Sequence, residues 1–374
     1  MNKNRKRVVI IAPLPNLKER VRLNKLTEIM LDNQNINIDF WGWDRKINSE
    51  KKDYVQVNKR MLLTGGGEGN RKLIFYYLLW IIKVFINIMF KGKKDDYFYC
   101  LGFDTAFPAS IANLIVKRKF IFDNADNISK SYKWPKVIEG ILVKLEMFCS
   151  NKASFHLVPG QSRVDKVEEN TRVIPNTPTS SIHKKALDIA REKGYRRGDI
   201  FTIYINGYLT KARGIEQIYH SLNECKNNVN VIIAGYPRCE AAHKLIELPN
   251  VHYYGNVSNE EALALYYNAH LAFTFYDPLT KVNRLAEPNK WGDCLATQTP
   301  LLANLEIITA KEYFNDKACF GVPYYDTDEL TRLLDELSNN LNNNWTPIFE
   351  NFKTKDFNYW DSAMNNLLNE FLNV

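Results

Sequence analysis

Cysteine and histidine are scarce in this chain of 374 residues, and neither is grouped. The six cysteines are scattered without a C-x-x-C pair, and the six histidines form no cluster. This pattern argues against a disulfide-stapled fold and against a zinc site built from closely spaced ligands. We therefore expect reduced, mostly buried thiols and a cytoplasmic protein.

Glycine-rich phosphate-binding signatures are missing as well. No G-x-G-x-x-G follows the first strand-like run, RVVIIAP, which argues against a dinucleotide-binding epimerase or a related Rossmann enzyme. The TGGGEG segment lacks the G-K-[ST] that would make it a P-loop. The apolar run near the N-terminus is short and ends at Pro13, so we interpret it as a buried strand and not as a signal peptide.

Length and charge set broad limits on the chain. A single core stops growing near ~250–300 residues, so 374 residues predict two domains. The formal net charge of +8 is compatible with a phosphate-bearing or anionic-membrane partner, and equally with simple solubility. No nucleic-acid partner is predicted.

Short apolar runs alternate with helical patterns, most clearly in the second half of the chain. The runs there are FTIYING (201–207), VNVIIAG (229–235), VHYYG (251–255), HLAFTFY (270–276) and PLLAN (300–304). Such alternation predicts an α/β fold with parallel strands and right-handed crossovers. The first half repeats the pattern less cleanly.

The same pattern suggests where the domains begin and end. We predict Rossmann-like domains over 1–180 and 199–345, joined by a charged linker at 183–199. A helical tail at 346–374 follows, and it can cross back onto the first domain.

Ligands of open α/β sheets bind beyond the carboxyl ends of the strands, so the loops after the strands are the candidate sites. The loop after FTIYING places Arg213 and Gly214 at a helix start, where free N–H groups attract anions. The loop after HLAFTFY contains EPNKWGD, with Lys290 near a second helix start and Asp293 one turn later. These residues either hold a diphosphate and a ribose, or are surface charges and a salt-bridge partner.

Four sequence blocks, in this order, carry a resemblance to a known family. They are G-x-L-x-x-x-[RK]-G-I, V-I-I-A-G, V-x-Y-x-G-x-V-S and P-N-K-x-x-[ED]-x-L-A-x-x-x-P. The chain thereby resembles the donor domain of retaining glycosyltransferases of group 1, which have the GT-B fold and use nucleotide sugars. The resemblance covers 203–334 well, and it reaches the first domain more weakly through FDNAD and RVIPN.

The resemblance implies a GT-B architecture in which two Rossmann-like domains face each other across a cleft. It also implies transfer of a hexosyl or related sugar, with retention, from a nucleoside-diphosphate sugar to a glycan or lipid-linked glycan acceptor. The setting implied is bacterial capsule or lipopolysaccharide synthesis. The implied mechanism requires no metal and no cofactor.

Particular residues match the family's motifs. Arg213 and Lys290 match basic residues at the donor diphosphate, and Asp293 matches the residue that binds the ribose hydroxyls. The remaining implied donor contacts are Gly207, Tyr208, Gly214, Glu287, Pro288 and Asn289.

Three positions depart from the family pattern. Tyr208 replaces an arginine, Gln298 replaces a glycine, and Leu285 stands where many members have a glutamate, with only Glu287 nearby. These departures keep open a second interpretation, a non-catalytic nucleotide-sugar-binding protein on a degenerate transferase fold.

Candidate acceptor residues lie in the first half. Asp126, in FIFDNAD, is predicted to end a strand of the first domain, to face the cleft between the domains and to orient or deprotonate the acceptor, or else to be an Asx-turn residue. Arg20 and Arg22 follow the first strand, where they either meet an anionic acceptor or are solvated.

The segment 71–94, RKLIFYYLLWIIKVFINIMFKGKK, is strongly apolar with basic ends. Lys83 and Asn87 interrupt it, which argues against a helix that spans a membrane. It is either a buried helix of the first domain or a helix on an anionic membrane surface, such as the inner face of the cytoplasmic membrane.

Overall fold

Contacts within the chain divide it into two units. Our computed structural model describes residues 5–45, 53–67, 73–164, 166–339, 341 and 346–373. Unit 1 comprises Met1–Pro175 together with Asp361–Val374, and unit 2 comprises Asn176–Trp360.

Unit 1 is built on a seven-stranded parallel sheet. Its strands are β1 (Lys6–Ala12), β2 (Ile36–Asp44), β3 (Asn58–Thr64), β4 (Tyr97–Leu101), β5 (Lys119–Asp123), β6 (Phe155–Val158) and β7 (Thr171–Val173). They lie in the order β3-β2-β1-β4-β5-β6-β7. The central strand β1 is buried from Val8 to Ala12, which is why its sequence is continuously apolar.

Helices cover this first sheet. They are α1 (Val21–Asp32), α2 (Leu73–Phe90), α3 (Phe103–Val116), α4 (Ile128–Ser131) and α5 (Lys136–Lys152). From β1 to β3 the chain adds strands toward one edge of the sheet, and from β4 to β7 it adds them toward the opposite edge. Because the crossovers are right-handed, α1 lies on one face of the sheet, and α2, α3 and α5 lie on the other. Within this second layer, α3 packs against both α2 and α5.

Unit 2 has a six-stranded parallel sheet. Its strands are β8 (Thr202–Leu209), β9 (Asn230–Pro237), β10 (Val251–Tyr253), β11 (Leu271–Thr274), β12 (Leu301–Asn304) and β13 (Phe320–Val322). Their order is β10-β9-β8-β11-β12-β13. All five apolar runs named in the sequence analysis of the second half are strands, so the predicted parallel sheet is confirmed there.

The remaining helices follow the same alternation. They are α6 (Ser180–Glu192), α7 (Ile215–Glu224), α8 (Glu240–Ile246), α9 (Asn259–Ala264), α10 (Lys281–Arg284), α11 (Asn289–Thr297), α12 (Lys311–Asn315), α13 (Thr327–Asn339), α14 (Thr346–Lys353) and α15 (Trp360–Leu372). Ser258 caps α9 by accepting a hydrogen bond from the backbone N–H of Glu261, as its sequence indicates.

The predicted linker is wrong over most of its length. Residues 180–192 form α6, whose Ala186 and Ala190 are buried in the core of unit 2. His183 bonds the hydroxyls of Tyr267 and Tyr359 at 2.6 and 2.7 Å, which fixes the helix to its own unit. The charges that suggested a linker belong to the solvent-facing side of an amphipathic helix.

The C-terminal segment is divided between the units. Helix α14 belongs to unit 2, whereas α15 packs on the sheet of unit 1 from Asp361 onward. The ring of Phe371 lies 5.2 Å from that of Tyr97, and Glu370 forms a 3.0 Å ion pair with Arg172. The last helix therefore completes the first unit.

Helix α2 has one buried face, as the buried-helix alternative for 71–94 predicts, and residues 71 and 72 lie outside the described part. Trp80, Val84 and Ile88 are fully buried against the sheet, so the inner face is a core face. The ammonium of Lys83 bonds the carbonyl of Leu62 at 2.8 Å, although the residue is exposed. Within the described residues, α2 is the one helix long and apolar enough to cross a membrane.

Candidate functional site

The sheet of unit 2 has a topological switch point between β8 and β11. The chain runs from β8 outward through β9 and β10, then returns to β11 on the other side of β8. The loops after β8 and β11 therefore diverge at the carboxyl edge and leave a crevice, the usual ligand position in open α/β sheets.

Glycines let the backbone pass closely at this edge. Gly214 has φ +69° as the residue before α7, and a Cβ there would lie 2.6 Å from Cβ of Phe275. Gly207, with φ +88°, lies against Gly235, where a Cβ would come within 1.9 Å of the Gly207 carbonyl oxygen. These contacts leave no room for a side chain at Gly214 or at Gly235, so the structure of this edge requires glycine at both positions.

Arg213 is held in place by an aromatic ring. Its guanidinium carbon lies 3.9 Å from the centre of the Tyr276 ring, and Tyr276 is buried. The buried Nη1 of Arg213 has no hydrogen-bond partner among the described residues. A positioned, charged donor without an acceptor is the arrangement that an anionic ligand would complete.

Lys290 is the second cation of the site. It is partly buried at the start of α11, and burial together with the charge of Arg213 lowers the pKa of Lys290 to about 7. Its Cε lies 4.0 Å from the position that a Cβ on Gly207 would occupy, so it reaches across to the end of β8. Within the described part of the chain, Lys290 forms no ion pair.

Asp293 lies one helical turn after Lys290. Its negative charge partly offsets the lowering of the Lys290 pKa. Burial raises the pKa values of Tyr204 and Tyr266, and the charge of Asp293 adds to both shifts. The carboxylate is thus close to the cation and on the side of β8, where it is partly exposed. The ribose-binding interpretation of Asp293 stays a prediction.

The start of α11 is a free helix N-terminus fixed by local packing. Pro288 is the N-cap, and no side chain caps the helix. A Cβ at Gly292 would lie 2.4 Å from the Asn176 carbonyl oxygen. The Asn176 amide donates to the Glu287 carbonyl at 2.7 Å. The exposed N–H groups are therefore held in one position.

The side chains of Glu287 and Asn289 have different surroundings from those of Arg213 and Lys290. The Glu287 carboxylate helps to raise the pKa of Tyr313, so it lies toward that ring. Asn289 is exposed at the first helical position. Leu285 is buried, and it offers no polar group where the family pattern has a glutamate.

Tyr208 belongs to an aromatic pair that the sequence analysis missed. Its ring stacks on Tyr236 with 5.7 Å between centroids and 24° between planes. Arg238 lies over both rings, at 5.9 Å from Tyr208 and 5.7 Å from Tyr236. The signal was available, because Tyr208 and Tyr236 occupy equivalent positions at the ends of adjacent strands.

The carboxylate that ends β5 in unit 1 is Asp123 and not Asp126. Asp123 is fully buried, accepts the Tyr99 hydroxyl and pairs with Nε of Arg22 at 2.7 Å. Arg22 is therefore an internal ion-pair partner, so the alternative that it is solvated is wrong, while Arg20 is exposed. Asp126 lies in the following turn with 58% of its side chain exposed, 3.7 Å from Arg163.

Unit 1 has its own switch point, between β1 and β4. Asn16, after β1, is fully buried, and neither its amide nitrogen nor its oxygen has a partner among the described residues. Asp104, after β4, has its pKa raised to about 6 by burial. The sequence analysis missed Asn16 because it considered only the cations of the loop after β1. It missed Asp104 because it did not consider the segment after β4.

No group of three or more histidine, cysteine or acidic side chains suited to a metal occurs in the described part of the chain. An Asp-Thr-Asp sequence does occur at 326–328. There, Asp326 accepts from the backbone N–H of Glu329 at 2.8 Å and so caps α13.

Comparison with known proteins gives a likeness in fold. No protein-family model matches the sequence, and no curated protein does. Among solved structures, sucrose-phosphate synthase from Thermosynechococcus elongatus has 12% identity and a TM-score of 0.64, over 99% of this chain and 100% of that one. HepE from Anabaena in complex with UDP has 13% identity and a TM-score of 0.64, over 98% and 99%. A glycosyltransferase from Rickettsia africae has 12% identity and a TM-score of 0.63, over 99% of each chain.

At such low identity the likeness shows the fold alone. The α/β class and the GT-B architecture with two parallel sheets are thereby confirmed. That the two domains face each other across a cleft stays a prediction.

Proposed function

We propose that this protein is a glycosyltransferase that moves a hexosyl or related sugar from a nucleoside-diphosphate sugar to a glycan or lipid-linked glycan acceptor. The carrying observation is the pair Arg213 and Lys290 at the switch point of unit 2. Neither forms an ion pair with a described residue, and Nη1 of Arg213 has no partner there. The solved structures of HepE with UDP and with UDP-glucose are of the same fold, and they support a nucleotide sugar as ligand.

Electrostatic stabilisation of the leaving diphosphate is the proposed source of catalysis. Arg213, protonated Lys290 and the N–H groups at the start of α11 act on the charge that develops as the glycosidic bond breaks. They need no metal for this purpose. In the proposed reaction the acceptor hydroxyl attacks from the face that the diphosphate leaves, so the configuration is retained.

Donor recognition is assigned to the same edge of the sheet. Asp293 accepts hydrogen bonds from both ribose hydroxyls, for which its two oxygens are suited. The backbones at Gly207 and Gly214 approach the phosphates, while Tyr208 offers an aromatic face in place of the family's arginine. The other proposed contacts are Glu287, Pro288 and Asn289.

The acceptor is assigned to the carboxyl edge of unit 1. Asp126 is the exposed carboxylate there, and Asp104 is a second candidate base because its pKa is raised to about 6. The buried amide of Asn16 is a further group without a protein partner in the described part. A glycan of bacterial capsule or lipopolysaccharide would supply the hydroxyls.

A non-catalytic nucleotide-sugar-binding protein is the second candidate. It is favoured by Leu285, which is buried where a donor-contacting glutamate is expected, and by Tyr208 in place of an arginine. Such a protein would keep the diphosphate site and lose turnover.

A panel of nucleoside-diphosphate sugars separates these possibilities. We expect one of them to raise the melting temperature of the protein and to be hydrolysed slowly, or transferred to an added glycan. Binding without any turnover would support the second candidate. No shift with any nucleoside diphosphate or nucleotide sugar would overturn both.

A further inference from the structure

The outer face of α2 is apolar although it faces away from the sheet. Eight residues of the helix are exposed, and all except Lys83 are large hydrophobics. They are Ile74, Phe75, Leu78, Leu79, Ile82, Ile86 and Phe90. The buried residues of the same helix already fill the core, so this second apolar face is not explained by the packing of unit 1.

Two neighbouring helices extend this surface. Helices α3 and α5 lie in the same layer as α2, and their exposed side chains include further large hydrophobics. These are Leu114, Ile115, Val137, Ile138, Ile141 and Met147. We call the exposed side of the three helices the outer apolar face. Exposed large hydrophobics grouped on neighbouring helices are typical of an interaction surface.

Lysines border the outer apolar face at both ends. At the carboxyl ends of the three helices lie Lys91, Lys117 and Lys152, and Lys136 begins α5 at the opposite end. Lys144 is exposed one helical turn after Ile141. Long lysine side chains at the border of an apolar surface can place their ammonium groups among phosphates while the stems stay in contact with apolar groups.

Carboxylates are almost absent from the same surface. In α2, α3 and α5, all of which the structure describes, the acidic residues are Asp104, Glu139 and Glu146, and none is fully exposed. The face is therefore apolar and positively charged. Its complement is a surface that is apolar beneath and negative on top, which describes anionic lipid.

We propose that the outer apolar face docks unit 1 on an anionic lipid membrane, with α2, α3 and α5 lying parallel to the surface. Helix α2 does not cross the bilayer in this arrangement. Trp80, Val84 and Ile88 are fully buried against the sheet, and inserting the helix would strip them from the core. The alternative of a second copy on this face would bring two lysine-bordered surfaces together, with like charges opposed.

This proposal concerns unit 1 alone and does not depend on the donor site. Its failure would leave the glycosyltransferase proposal standing, and loss of turnover in the donor-site variants would leave the membrane proposal standing.

Vesicle co-sedimentation tests the proposal. The wild type is expected to sediment with vesicles of phosphatidylglycerol and phosphatidylcholine, to bind phosphatidylcholine vesicles much less, and to be released in part by about 1 M NaCl. The double variant Leu79→Glu/Ile82→Glu places charge in the outer apolar face and should bind anionic vesicles at least tenfold less. Val167→Glu, at an exposed valine outside that face, should bind like the wild type.

Two further measurements make the outcome decisive. Circular dichroism and the thermal unfolding transition check that the double variant is folded. If it is not, the exposed pair Lys91→Glu/Lys152→Glu, at two of the lysines that border the outer apolar face, replaces it, and the same loss is expected. The proposal is overturned if the wild type ignores anionic vesicles, if the folded variant binds them equally, or if the wild type is a dimer that the double variant makes monomeric without any vesicle binding.

Discussion

The guanidinium of Arg213 lies over the ring of Tyr276, with 3.9 Å between its central carbon and the ring centroid. An aromatic face attracts the cation without supplying a negative charge. The arginine is thus oriented and desolvated while its charge stays available, and its repulsion is felt by Lys290. The predictions for the donor site follow from these two cations, neither of which forms an ion pair with a described residue.

Arg213→Ala should weaken binding of a nucleoside diphosphate by roughly 1.5–3 kcal/mol, the range for a hydrogen bond to a charged group. Calorimetry with UDP as the probe measures the change. The control is Arg332→Ala, at an exposed arginine of α13, which should leave the affinity unchanged. Equal affinity of wild type and a folded Arg213→Ala protein would remove Arg213 from the site.

Lys290 should make donor binding depend on pH. Because its pKa is lowered to about 7, the ammonium is charged below that pH and is lost as the pH rises through it. A diphosphate favours the charged form, so affinity should fall above about pH 7 by up to about tenfold per pH unit, and binding should take up protons. A nucleotide sugar is the suitable ligand, since its esterified phosphates do not titrate in this range.

Lys290→Met supplies the control for that titration. The variant should bind the nucleotide sugar weakly, with little pH dependence and no proton uptake by calorimetry in two buffers. A lowered lysine pKa means that the unfolded chain holds the proton more tightly, so the stability cost of this lysine is complete below about pH 7 and disappears as the pH rises from there to about 10.5. Unliganded Lys290→Met should therefore melt higher than wild type near pH 6. An unchanged pH profile of binding in the variant would contradict the assignment.

Asp293→Asn should raise the dissociation constant of the donor at least several-fold, with little change in the melting temperature of the unliganded protein. The amide loses one acceptor oxygen and the charge that supports protonated Lys290, so the pH midpoint of binding should also move down. A 2′-deoxyribose donor should be penalised in wild type and barely further in the variant. Equal losses in both proteins would show that Asp293 does not hold the ribose.

Gly214→Ala should destabilise the protein by at least about 1–2 kcal/mol, the cost of a left-handed conformation for a residue with a Cβ, because φ is +69° and the Cβ meets Phe275. Gly140→Ala is the matched comparison. It lies in α5 with no atom within 4 Å of the new Cβ, and should stabilise by about 0.5–1 kcal/mol. Denaturant unfolding gives both values, and a neutral Gly214→Ala would mean that the turn is not constrained as described.

Asp123→Ala should be among the most damaging single changes in unit 1, with a loss of about 3–5 kcal/mol, because it leaves the buried Arg22 without its carboxylate. Asp126→Ala should cost at most about 1 kcal/mol, because the Asp126 side chain is 58% exposed and its ion pair with Arg163 is long, at 3.7 Å. Thermal unfolding separates them. If Asp126 serves the acceptor, its variant should lose transfer while keeping its stability, whereas a stable Asp123→Ala would disprove the buried ion pair.

Much of the fold could be predicted because apolar runs in parallel sheets are continuous and their spacing is regular. Strand β3 escaped prediction since its sequence, NKRMLLT, is half exposed and polar at its start. Helix α6 was mistaken for a linker because charge density does not show that alanines at 186 and 190 pack inward. Such burial depends on what lies opposite in space.

The cations of the candidate site were found from the sequence because strand ends mark the ligand edge. The sequence could not show which groups surround these cations or that burial lowers the pKa of Lys290. The pairing of Arg213 with Tyr276 joins residues far apart in the chain, and the lowered pKa of Lys290 depends on that partner and on burial. Asp126 was predicted to end the strand, whereas β5 ends at the buried Asp123, because only packing tells which carboxylate of FDNAD is buried.

Helix α15 returns to unit 1 after the whole of unit 2 has been traversed, and Phe371 and Glu370 complete contacts with Tyr97 and Arg172. During synthesis, unit 2 is therefore available in full before unit 1 is. The unit that leaves the ribosome first is therefore completed last, because its final contacts form only after the whole of unit 2 has been synthesised.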